Sequence, residues 1–172
     1  MLLMIDVQER LLPAMHDRDA VLRNGAILLK TAARLEIPVL ISEQYPRGLG
    51  PTVAELRSLA NAEAAVGKLC FSCHGEPALR DRIAAQGREQ IVIFGIEAHV
   101  CVLQSALDFR TAGKAVFVVA DAVSSRVSAN RRLALARMRQ EGVRIVSTEM
   151  VLFEWLRRAG TDEFREISGL IK

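Results

Sequence analysis

Apolar runs and amphipathic stretches alternate along the whole chain. Residues 2–6, 38–42, 64–66, 90–94, 115–120 and 143–147 are short, mostly apolar and bounded by polar or turn residues. That is the pattern of strands covered on both faces. Between them, apolar positions recur every three or four residues. In residues 17–35 they are Val21, Leu22, Ile27, Leu28 and Leu35, which predicts a helix. The same reasoning predicts helices over residues 52–59, 76–86, 99–112, 129–141, 150–158 and 162–168. Gly87, Gly113 and Gly142 stand just past three of them, where a helix end needs a residue that tolerates a left-handed turn. Residues 43–51 are rich in Pro and Gly and read as a loop.

Strand–helix–strand alternation implies parallel pairing through right-handed crossovers. The predicted fold class is therefore α/β, a three-layer α/β/α sandwich around a six-stranded parallel sheet. No repeat, linker or low-complexity tract divides the chain, so residues 1–172 are expected to form one domain.

Composition narrows the function. Aromatics are 5% of the 172 residues, too few for a platform that stacks nucleic-acid bases. Net charge is +3, and the densest basic group, Arg131, Arg132, Arg137 and Arg139, is expected to lie on one solvated helix face. Neither nucleic acid nor membrane is an expected partner, because no apolar stretch reaches transmembrane length. The chain opens directly on a strand-like run with no basic segment ahead of it. Its three cysteines make an odd count. Both features predict a reducing, cytoplasmic setting. Cys70 and Cys73 have C-x-x-C spacing but no second pair, a weak pattern for zinc or redox work.

In sheets of this kind ligands bind at the carboxyl ends of the strands. That rule gathers Asp6, Glu43, Gln44, Lys68, the segment 97–101 and Asp121. Cys101 is expected where a strand gives way to a helix, an environment of free N–H groups and partial positive charge that favours a thiolate and an oxyanion. A carboxylate such as Asp6 can take the thiol proton, and an ammonium such as Lys68 can hold the resulting charge. Each residue also has a plain alternative: Asp6 as a turn cap, Lys68 as a surface lysine, Cys101 as a small buried hydrophobe. His99 is expected to cap the helix or face solvent. No dinucleotide fingerprint, P-loop or serine nucleophile elbow is present.

Three segments together resemble the isochorismatase-like (cysteine hydrolase) superfamily: Met4-Ile5-Asp6-Val7-Gln8, Lys68 with Phe71-Ser72, and Gly95-Ile96-Glu97-Ala98-His99-Val100-Cys101-Val102. The segments 43–50 and 121–126 resemble most its isochorismatase-domain-containing branch. The resemblance implies a triad of Asp6, Lys68 and Cys101. It also implies a non-proline cis peptide at Ile96–Glu97, with the N–H groups of Glu97 and Cys101 receiving an oxyanion. By position, Gln8, Tyr45, Leu49 and Phe71 are expected to line the substrate pocket. The nicotinamidase branch binds a metal through Asp-x-His after the second strand. This chain has Glu43-Gln44-Tyr45 there, so neither a metal nor another cofactor is expected.

The expected function is hydrolysis of a small amide or related C–N bond through a thioester on Cys101. Two alternatives stand beside it: vinyl-ether hydrolysis of an isochorismate-like acid, and a non-catalytic scaffold of the same fold. The family resemblance also implies a homo-oligomer, a dimer or larger.

Overall fold

A computed structural model describes residues 1–171. Six strands form one parallel sheet: β1 (Leu2–Ile5), β2 (Val39–Gln44), β3 (Ala65–Lys68), β4 (Gln90–Ile96), β5 (Ala115–Ser124) and β6 (Arg144–Val146). Their order across the sheet is β3-β2-β1-β4-β5-β6. The chain builds outward from β1 to β3, returns to lay β4 beside β1, then builds outward the other way. The order reverses at the carboxyl ends of β1 and β4, and in open α/β sheets such a reversal forms the crevice that binds ligands.

The two central strands are buried along their apolar lengths and alternate between two cores. Leu2, Met4, Val92, Phe94 and Ile96 face α1 (Arg18–Arg34) and, after the one-turn helices α2 (Pro46–Leu49) and α3 (Ala54–Arg57), the later helix α7 (Thr148–Leu156). Leu3, Ile5, Ile91 and Ile93 face α4 (Pro77–Ala85), α5 (Leu103–Thr111) and α6 (Ser128–Gln140). The helix α8 (Asp162–Ser168) adds Ile167 to the first core. Each fully buried Leu or Ile contributes roughly 1.5–3 kcal/mol. The α/β/α sandwich is thus set by two-residue periodicity in the strands and helical periodicity outside them.

Two glycines bring elements unusually close. A Cβ on Gly25 of α1 would stand 2.8 Å from the Phe94 ring, so the helix rests directly on the sheet. A Cβ on Gly95 would stand 2.1 Å from the Ile5 carbonyl oxygen, and Gly95 has φ +124°. Only glycine lets β1 and β4 approach this closely beside the crevice.

Several boundaries differ from expectation, each for a local reason. The strands β2 and β3 run two residues further than their apolar cores, so Glu43, Gln44 and Lys68 are strand residues. The strand β5 continues to Ser124, because five steps on it (Val118 to Val123) match two on β4 (Ile93 to Gly95). That irregularity hides the strand's second half behind polar residues. The expected loop at 43–51 contains the turn α2, entered through Tyr45 at φ 39°. The helix expected over 99–112 begins as a π-helical turn, Ala98–Val102, in which Val102 N–H donates to the Glu97 carbonyl at 3.2 Å.

Candidate active site

Asp6 is the first residue past β1, and its left-handed backbone (φ 55°) turns the chain away from the sheet. Among non-glycine residues Asp adopts this conformation comparatively readily. Its N–H still donates to Ser42 O, at 3.1 Å. Lys68 ends β3 two strands away. Its ammonium reaches across to Asp6 Oδ2 at 2.9 Å, and both side chains are 0% exposed. Ser42 Oγ donates to the other carboxylate oxygen, Oδ1, at 2.6 Å. Neither residue has the plain role open to it in sequence: Lys68 is not a surface lysine, and Asp6 is one half of a buried ion pair.

Lys68 Nζ also donates to Gln44 Oε1 at 2.5 Å, Phe71 O at 3.1 Å and Cys70 O at 3.2 Å. Its three N–H groups are therefore spread over four oxygens. Burial pulls the Lys68 pKa down; its partners, Asp6 foremost, outweigh it and leave the ammonium held above its ordinary value.

The π-helical turn after β4 carries Cys101, which is buried. Its thiol lies against Gln44 Oε1 (3.9 Å), and Asp6 and Lys68 are the charged groups that act on it. The helix-start position predicts a thiol lowered toward thiolate. The structure reverses that expectation: burial first, then the Asp6 carboxylate, push the Cys101 pKa up, and Lys68 only partly offsets them. At rest the site holds a neutral thiol beside a compensated ion pair.

A second thiol shares this neighbourhood. Cys73 is buried, its N–H donates to Ser105 Oγ at 2.8 Å, and Ser105 lies one helical turn beyond Cys101. Burial and Asp6 raise its pKa to about 11, against the pull of Lys68, Ser105 and Ser42. Cys70 is exposed. Between them Ser72 is buried, and its hydroxyl has no partner among the described residues.

The Ile96–Glu97 peptide is cis. The Glu97 carboxylate accepts from Arg126 N–H at 3.0 Å and from Arg126 Nε at 3.1 Å, tying the end of β4 to the loop after β5. His99 is half-buried: its Nδ1 lies 3.0 Å from Ser125 Oγ and its Nε2 3.4 Å from Asn130 Nδ2.

The four positions expected to line the pocket have different surroundings. Gln8 is wholly buried and spends its amide on the backbone: Nε2 donates to Gln44 O (3.0 Å) and Gly50 O (2.7 Å), and Oε1 accepts from Gln44 N–H (2.8 Å). It clamps the loop and has no polar group left to offer a ligand. Tyr45 is 52% exposed and Phe71 53%. Leu49 is half-buried, and its carbonyl accepts from Arg10 N–H at 3.1 Å. Tyr45 borders a cavity of about 340 Å³ together with Gly67, Lys68 and Leu69 at the edge strand β3.

Two other residues gathered by the strand-end rule are structural. Asp121 lies within β5, and its Oδ1 accepts from Thr148 N–H (2.8 Å) and Oγ1 (3.0 Å) at the start of α7. Glu43 Oε1 accepts from Thr52 N–H and Oγ1. Arg131 is not part of a solvated face: its guanidinium donates to the Val123 and Ala120 carbonyls. Among the described residues no group of three or more His, Cys, Asp or Glu is placed to hold a metal ion, and no helix is long and apolar enough to cross a membrane.

Sequence comparison follows the same lines as the geometry. The Isochorismatase domain family matches residues 1–150. Isochorismatase domain-containing protein 2A of Mus musculus is 40% identical over 172 residues, 99% of this chain and 82% of its own length. Isochorismatase domain-containing protein 1 of Danio rerio is 40% identical over 97% of this chain, which spans 59% of that longer protein. Among solved structures, MAR1 ribonuclease of Caenorhabditis elegans superposes with a TM-score of 0.92 at 32% identity, covering 99% of this chain and 88% of that one. YcaC of Pseudomonas aeruginosa, solved with hexane-2,5-diol and covalent acrylamide, superposes with a TM-score of 0.92 at 26% identity, covering 98% and 87%. YcaC of Escherichia coli, described as an octameric hydrolase of unknown specificity, gives 0.88 at 25% identity, covering 99% and 83%. By relatives that match nearly all of it and by its matched domain, this chain belongs to the isochorismatase family, whose fold is that of hydrolases.

Proposed function

We propose that the protein is a cysteine hydrolase that cleaves a small amide or related C–N bond. The observation that carries this reading is the buried Asp6–Lys68 ion pair with the Cys101 thiol against it. A carboxylate and an ammonium are costly to bury together, and such pairs add little stability over well-packed apolar residues. Their retention beside a thiol is accounted for by chemistry.

Cys101 Sγ attacks the carbonyl carbon while its proton passes to Asp6. The charge moves from the carboxylate to the carbonyl oxygen, and the N–H groups of Glu97 and Cys101 receive it. Asp6 then returns the proton to the departing nitrogen, leaving a thioester. Water, deprotonated by Asp6, attacks the thioester; the C–S bond breaks, the acid is released, and Asp6 returns the proton to the Cys101 sulfur. Lys68 stays charged throughout and balances whichever neighbour is negative. A neutral resting thiol suits this sequence, because no free thiolate has to be maintained in a buried site.

The covalent acrylamide on the Pseudomonas relative is consistent with a nucleophilic side chain in a protein of this fold. We favour small amides over RNA, the class in the name of the nematode relative, because the ion pair and thiol are buried and suit a small carbonyl better than a polymer backbone. The octameric Escherichia coli relative supports a homo-oligomer.

The test is a screen of small amides, with short RNA as a comparison substrate, reading released ammonia or amine and cleaved strand. Cys101→Ala is expected to abolish amide turnover while its circular dichroism stays that of the parent. Full turnover in that variant would remove the covalent route and favour acid-catalysed chemistry at Asp6.

A further inference from the structure

Gln44 has no role in the scheme above, yet its side-chain oxygen touches both the cation and the nucleophile. Oε1 accepts from Lys68 Nζ at 2.5 Å and lies 3.9 Å from Cys101 Sγ. Its orientation is forced. An ammonium only donates, so the atom facing Lys68 must be the oxygen. The amide nitrogen is held elsewhere, donating to Leu69 O at 2.9 Å. The backbone of Gln44 is gripped on both sides by the buried amide of Gln8.

An oxygen in this position accepts an S–H and offers nothing to a bare sulfur anion. The donors of Lys68 are already taken by four oxygens, so it offers the sulfur its charge and no free N–H. We infer that Gln44 is a positioning residue that ties thiol and ammonium to one anchor and keeps Cys101 protonated until a carbonyl arrives. The inference rests on Cys101 being the nucleophile. It explains how a thiol can sit beside an ammonium without becoming a standing thiolate open to alkylation. The other titratable groups around Cys101 are Asp6 after β1, Lys68 on β3 and Cys73 in the loop beyond it. Glu97 and His99, next to it in sequence, are committed to Arg126 and to Ser125 with Asn130.

The experiment follows iodoacetamide labelling of Cys101 across pH in the full chain, resolved by peptide mass, with exposed Cys70 as the internal reference. Gln44→Leu removes the oxygen that accepts the S–H and leaves the three Lys68 N–H groups to the three remaining oxygens. Its labelling profile should move about one pH unit lower, a tenfold faster rate at fixed pH. Gln44→Asn, which keeps the amide but withdraws it, should follow Gln44→Leu. Gln44→Glu places a charge beside the sulfur and should move the profile the other way. Cys70 should not change in any variant. Profiles that coincide with the parent, or Leu and Glu variants that move in the same direction, would overturn the inference. The hydrolase reading fails separately: if Cys101→Ala retains amide turnover while the Gln44 shifts appear, Gln44 still sets the protonation of the thiol, and its role in a covalent route is overturned with that route.

Discussion

Asp6 and Asp121 carry the same signal in sequence, an aspartate after an apolar strand run, and the fold puts them to opposite uses. Asp6 ends β1 at the crevice where the strand order reverses. It faces a buried ammonium and a thiol. Asp121 lies within the irregular part of β5 and accepts two hydrogen bonds from Thr148 at the start of α7. Both carboxylates are satisfied, one by a cation and a hydroxyl, the other by a helix terminus. A position near a strand's carboxyl end is therefore not enough to make a reactive group. Adjacency to the reversal point and the sign of the partner decide it.

The largest effects should separate these two ends of the sheet. Lys68→Met strands the buried Asp6 carboxylate and is expected to cost about 3–5 kcal/mol in denaturant unfolding, with loss of turnover. Adding Asp6→Leu to it should recover much of that stability and none of the activity, because an apolar pair replaces an ion pair well in packing and not in chemistry. Asp121→Ala removes only a capping interaction. It should cost about 1 kcal/mol and leave turnover at the parental level. Lost turnover in Asp121→Ala would break the distinction between the two aspartates.

A smaller effect is alkaline and belongs to the Asp6 end alone. Cys101, Cys73 and Lys68 are all held above their ordinary values of 9.0 for the thiols and 10.5 for the amine. The folded state therefore binds more protons than the unfolded chain once pH passes 9. Stability is complete below that point and is lost as pH rises toward and through the folded values, about 11 for Cys73. Urea midpoints should fall as pH rises above 9. Midpoints unchanged to pH 11 would mean the thiols and amine titrate as in an open chain.

Much of this architecture was legible in the order of residues. Continuous apolar runs at 2–5 and 91–94 mark the central strands, and the strand-end rule gathers Asp6, Lys68 and the Cys101 segment before any contact is known. What was not legible depends on reach across strands. Gln44 follows an apolar run like many loop residues, and nothing local tells that its oxygen spans Lys68 and Cys101. Gln8 sits next to Asp6 in the pattern, but its amide turns to the backbone. The raised Cys101 thiol is a consequence of burial, which a helix-start argument cannot weigh. The extra residues of β5 hid the strand's second half because they break its register with β4.

The most direct test of the central claim is to trap the acyl group. The protein, turning over the best amide from the screen, would be quenched in acid and its peptides weighed. The account predicts the acyl mass on the Cys101 peptide, removable by hydroxylamine and absent in Asp6→Asn. Product released with no acyl group on Cys101 at any time, or the acyl group found on Cys70 instead, would contradict it.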